Sequence, residues 1–261
     1  MEKNKLHSDR INQNSLRELH DELPETFLNF TNSDIITYCL QQVKVGTKSE
    51  QSARVLNSWI NSEIILIDEK DKGKVRRFNR LESIWLNIVI EARKFGLPLE
   101  SLKQTRRDLT QSPVKGFSLL KFSVLDTILS KSKIVMIFED GFTNVISIES
   151  YTKYLIKGSF PTHINFKLHD FISEEFPNNA FEVDFKIQDV YENEEKLTLL
   201  YFLKTGDYKS IKIYLSDGDV RLIENDKFFI HNKEIMNAIS KWTFTKAEIF
   251  ISEEMKVTIT P

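Results

Sequence analysis

The chain has 261 residues, 41% of them hydrophobic, with 19 Phe and a net charge of −2. That is enough apolar mass for a core, which excludes wholesale disorder, and the length fits two domains or one with attachments. One cysteine, Cys39, excludes a disulfide framework or a cysteine zinc cluster, and no apolar run approaches the roughly 20 residues that span a bilayer.

Residues 1–32 are polar, with a short helical pattern at Leu16, Leu19 and Leu23, and read as an N-terminal arm. The start, Met1-Glu-Lys-Asn-Lys, shows no signal peptide, so a cytoplasmic protein without membrane partners is expected. Ser33-Asp34 supplies N-cap chemistry for a helix whose apolar residues are Ile36, Cys39, Leu40 and Val43. Val45-Gly46-Thr47 breaks it. A second helix is predicted over 50–62, with Val55, Leu56, Trp59 and Ile60 on one face and Arg54, Asn57, Ser58 and Asn61 on the other. Ile64 to Ile67 is a β-prone run, and Asp68 to Arg77 is a charged segment turning at Asp71-Lys72-Gly73.

The clearest helix is predicted over 81–95. Leu81, Ile84, Trp85, Ile88, Val89, Ala92 and Phe95 follow the i, i+3, i+4, i+7 rule, and Gly96 caps the end. Leu97-Pro98-Leu99-Glu100 opens a further helix, and Ser112 to Gly116 reads as a linker. Beyond it, a helix near 117–131 precedes a hairpin, Ile134 to Phe138 with Phe142 to Ile148, around Glu139-Asp140-Gly141. A second hairpin surrounds Asp217-Gly218 and a third spans Ala247 to Ile259. Short helices fit near 150–157, 168–176, 193–204 and 232–241. Helices interspersed with hairpins indicate an α+β domain over 113–261.

Three pieces of the 33–112 domain carry a resemblance. Ser52-Ala53-Arg54-Val55-Leu56-Asn57-Ser58-Trp59, then Lys74-Val75-Arg76-Arg77-Phe78, then Arg93-Lys94-Phe95-Gly96-Leu97-Pro98-Leu99-Glu100 stand in the order and spacing of the MerR-like winged helix-turn-helix family. The stretch 52–109 resembles that family's DNA-binding domain, with a recognition helix, a wing and a following helix pair. The resemblance implies sequence-specific binding of double-stranded DNA for transcriptional control, and binding as a homodimer. Asn57 and Ser58 depart from the Arg and Tyr usual in the family's helix, and the long antiparallel dimerisation coiled coil is not evident.

The chemistry agrees with the resemblance. Arg54 is suited to guanine and Asn57 to adenine in the major groove, with Ser58 beside them. Arg76 and Arg77 would grip phosphates at the wing base, and Lys70, Lys72 and Lys74 would add salt-sensitive attraction at its tip. Residues 33–109 hold 14 Lys and Arg against 10 Asp and Glu, a basic block between acidic flanks. The C-terminal domain is left to dimerise, sense an effector or bind a protein.

Other readings stand beside this one. The same winged helix would serve a plasmid or phage replication, partition or excision factor, or a protein-interaction module that has lost DNA binding. Glu182-Val183-Asp184-Phe185-Lys186 contains the Asp-x-Lys of some metal-dependent nucleases, with Asp170 or Glu174 as a second acid. So short a motif is common by chance. No Walker loop, Rossmann fingerprint or nucleophile elbow is present, and the five histidines are scattered. No enzyme, metal or cofactor is expected.

Overall fold

A computed structural model describes residues 19–46, 51–67, 77–112, 114–130, 132–158, 161–176, 185–224 and 228–261. It is a mixed α+β protein with antiparallel pairing in each of three small sheets. The chain packs as two compact units. One comprises Met1–Leu23, Asn32–Thr127 and Lys131–Glu175, and the other Pro24–Thr31, Ile128–Ser130 and Phe176–Pro261.

In chain order the elements begin with α1 (Glu25–Asn32), then α2 (Asp34–Thr37), which continues as a wider π turn over Tyr38–Gln42. Next come β1 (Lys44–Gly46), α3 (Ala53–Asn61) and β2 (Arg77–Asn79). These lead into α4 (Arg80–Lys94) and α5 (Leu99–Thr110). After α6 (Leu119–Leu129) follow β3 (Lys133–Phe138), β4 (Thr143–Ser147), α7 (Ile148–Ile156), β5 (His163–Lys167) and α8 (Leu168–Ser173). The remainder comprises α9 (Glu194–Thr205), β6 (Ser210–Leu215), β7 (Val220–Glu224), α10 (Lys233–Ser240), β8 (Phe244–Phe250) and β9 (Lys256–Ile259).

In the first unit α4 is the central helix. Asn79 caps it by accepting from the Glu82 amide at 2.8 Å, and Ile84, Trp85, Ile88, Val89 and Ala92 are fully buried, as their spacing predicts. Gly96 ends it at φ +84°. Its amide donates to the Arg93 carbonyl and the Leu97 amide to the Ala92 carbonyl, which is a Schellman cap. Phe95, expected on the apolar face, is instead 67% exposed, because it stands at the helix cap where the chain turns away.

The β-prone run 64–67 is not a strand. The amides of Ile64 and Ile65 donate back to the Trp59 carbonyl at the end of α3, and the Ile64 carbonyl accepts from Trp85 Nε1 at 2.6 Å. The end of α3 and the Trp85 side chain have taken the backbone groups a ladder would need. The three-stranded sheet of this unit has the order β4-β3-β5. Val135 of β3 sits opposite Val145 of β4 and Phe166 of β5. Ile134 to Ile137 are buried, so the central strand is covered on both faces. The β3–β4 hairpin forms as predicted; β5 was not foreseen from the sequence.

In the second unit α9 is buried from Leu197 through Thr205, with Asn193 capping its start. Residues 25–32, read from the sequence as part of the arm, form α1, whose Phe27 and Phe30 are buried. The Phe27 ring lies 5.6 Å from Tyr191 and the Phe30 ring 6.4 Å from Tyr201. The sheet has the order β7-β6-β8-β9, and its core side carries Ile211, Ile213, Ala247, Ile249 and Ile259. On the other side the Tyr214 hydroxyl donates to Glu248 at 2.7 Å, and Lys256 and Lys246 approach the same carboxylate at 3.1 and 3.4 Å.

These partners, the Tyr214 hydrogen bond foremost, lower the Glu248 pKa from 4.5 to about 2 against the opposing effect of desolvation. A depressed carboxylate stabilises the fold above its unfolded pKa, and that contribution is lost as pH falls from 4.5 towards 2. Chemical denaturation at about pH 5 and about pH 3 should therefore show a smaller acid loss in Glu248→Gln than in the parent. Equal losses in the two proteins would remove Glu248 as a cause.

Candidate nucleic-acid interface

Helix α3 is built to show one polar face. Ser52 caps it, its Oγ accepting from the Val55 amide at 3.3 Å. Leu56 and Trp59 are buried, and Val55 and Ile60 are half-buried. Arg54, Asn57, Ser58 and Asn61 are all exposed, and their i, i+3, i+4, i+7 spacing makes them a single stripe along the opposite side. Three of the residues picked from the sequence are thus brought together.

Arg77 is exposed at the first position of β2, opposite Gly46 of β1. The next residue, Phe78, is buried at 1% exposure opposite Val45. The pairing of β1 with β2 means that α3 and the segment after it form one excursion between two paired strands. The sequence reading took Val45-Gly46 only as a helix break. Lys70, Lys72, Lys74 and Arg76 lie outside the described residues.

The platform under this excursion depends on charged residues that sequence reasoning missed. Arg106 forms two hydrogen bonds with the Glu82 carboxylate, both 2.9 Å, and a third to the Ile64 carbonyl at 3.0 Å. Glu82 also accepts from the Leu66 amide at 2.5 Å. Arg80 reaches the Cys39 carbonyl at 3.1 Å, tying α4 to the π turn after α2. Residues 64–66, which lead towards the charged segment, are therefore fixed from below by α4 and α5. The signal available was Glu82 in the first turn of a helix with an otherwise apolar inner face; nothing in the sequence pointed to Arg106 as its partner.

Asp184, of the Asp-x-Lys motif, lies outside the described residues. Among those described, no group of three or more His, Cys, Asp or Glu could hold a metal ion, and no helix is long and apolar enough to cross a membrane. The chain matches no family model, no curated protein and no solved structure.

Proposed function

We propose that residues 33–112 form a winged helix-turn-helix that binds double-stranded DNA in a sequence-specific way, and that the protein acts as a transcriptional regulator. One observation carries this reading. A capped helix, seated by Leu56 and Trp59, presents Arg54, Asn57, Ser58 and Asn61 to solvent as one stripe. That stripe is the size and chemistry that enters a major groove, where Arg reads guanine and Asn reads adenine. The order helix, strand, helix, charged segment, strand, helix supports the winged form, and Arg77, exposed on the closing strand, is a residue of the type that contacts phosphate.

The test is binding of the whole protein to a random-sequence DNA pool at two salt concentrations, with selection and sequencing. An enriched motif, with affinity falling steeply as salt rises, is the expected result. Arg54→Ala, at an exposed position, should lower affinity for the selected site about tenfold or more while relaxing preference at one base pair. Absence of binding even at low salt would end this reading and favour the protein-interaction alternative.

The homodimer is part of the same proposal. A two-fold DNA site calls for two copies of the reading helix. Helix α7 supports an association surface: none of its residues is buried, and Ile156, Leu155 and Tyr154 are 81%, 50% and 46% exposed. A palindromic selected motif would agree with it.

A further inference from the structure

The first unit contains a cavity of about 510 Å³ lined by the outer side of α4 and by β5 and α8. Its volume lies in the range of small-molecule sites. Three aromatic rings stand in series along it. Phe95 meets Phe166 edge-on at 6.2 Å between centroids, and Phe166 meets Phe171 at 5.9 Å. Phe166 is buried, whereas Phe95 keeps two-thirds of its surface in solvent, an unusual position for a large aromatic residue.

The polar part of the lining has one dominant sign. Glu91, Asp170 and Glu174 contribute three carboxylates, of which Glu91 is paired with Lys94 at 2.6 Å and Asp170 lies 3.7 Å from His169 Nδ1, against the ammonium of Lys167 in the lining. The carboxylates come from two elements, Glu91 from α4 and Asp170 and Glu174 from α8 with its cap. These acids do not form a group able to hold a metal ion. Aromatic faces attract cations through the ring quadrupole, and carboxylates add long-range attraction. A ligand that satisfies both kinds of wall has an apolar body and a positive charge without strong metal-like coordination.

We propose that this cavity binds an organic cation, of the substituted ammonium class, between the Phe95–Phe166–Phe171 rings and the carboxylates of Asp170 and Glu174. The site is independent of the DNA-binding stripe. None of its residues belongs to α3 or β2. Phe95, exposed at the end of α4, is the wall that the ligand would cover.

The experiment is calorimetric or NMR titration of the full chain with benzyltrimethylammonium, with neutral benzyl alcohol and anionic benzoate as partners of similar size. The cation is expected to bind at least fivefold more tightly than either. Phe95→Ala is expected to weaken it about five- to thirtyfold, the range of one well-placed cation–aromatic contact. The pair Asp170→Asn with Glu174→Gln should weaken the cation and leave benzyl alcohol unaffected. Thermal unfolding of each variant checks that the fold is intact, and the exposure of Phe95 makes its truncation mild. Equal affinity for the cation and the alcohol would overturn the proposal. So would unchanged cation affinity in both variants, or no cation binding up to about 10 mM.

Discussion

Arg106→Met is expected to lower the unfolding midpoint of the first unit by roughly 10 °C, from a loss of about 3–5 kcal/mol. The Arg106 and Glu82 side chains are each only 11% exposed, so the substitution strands a carboxylate in a dry site. It also removes the guanidinium bond to the Ile64 carbonyl. A surface ion pair would be worth a fraction of this. The double variant Glu82→Gln with Arg106→Met should recover a large part of the loss, because it removes the orphaned charge. Hydrogen exchange at the Leu66 amide, bonded to Glu82, should accelerate in the single variant. A loss below about 1 kcal/mol would show that residues 64–66 are held by something else.

Gly141→Ala should cost about as much by a different route. Gly141 turns the β3–β4 hairpin at φ +86°, where an L side chain is strained by roughly 1–2 kcal/mol. A Cβ there would also lie 2.3 Å from the Ser101 carbonyl oxygen and 2.7 Å from its Cα, both backbone atoms of α5. Rotation of a side chain cannot relieve that contact, so the hairpin must move off the helix. Moving it strains three hydrogen bonds: Thr105 Oγ1 to the Gly141 carbonyl, Ser101 Oγ to the Glu139 carbonyl, and the Thr143 amide to Asp108. The expected total is about 3–5 kcal/mol. Gly96→Ala is the control. Its φ is +84°, yet nothing lies within 4 Å of the added carbon, so it should cost only about 1–2 kcal/mol of strain. Equal losses at the two glycines in urea unfolding would mean that the hairpin yields freely and α5 does not fix it.

The candidate DNA interface shows which parts of a site are legible early. The stripe Arg54, Asn57, Ser58 and Asn61 follows from apolar Leu56 and Trp59 at helical spacing, because burying one face leaves the other in water. The base of the platform could not be read the same way. Glu82 and Arg106 are 24 positions apart, and each looks like an ordinary helix charge until packing brings them within 2.9 Å. The run Ile64 to Ile67 has strand composition, but a strand needs a partner with unpaired backbone groups, and here Trp85, Arg106 and Glu82 take them. Phe27 and Phe30 stood at helical spacing in the supposed arm, so α1 was within reach of the same reasoning.

By itself the sequence determined the local elements whose chemistry is self-contained. The α4 helix with its Asn79 and Gly96 caps, the capped α3 helix and the Asp-Gly hairpins need only short-range rules of capping, periodicity and turn geometry. The tertiary structure alone decided the pairing of β1 with β2 across the α3 excursion, the place of β5 in its sheet, and the cavity beside Phe95. Each of these joins residues distant in the chain, and long-range partners are chosen by the packing of whole elements rather than by any local pattern.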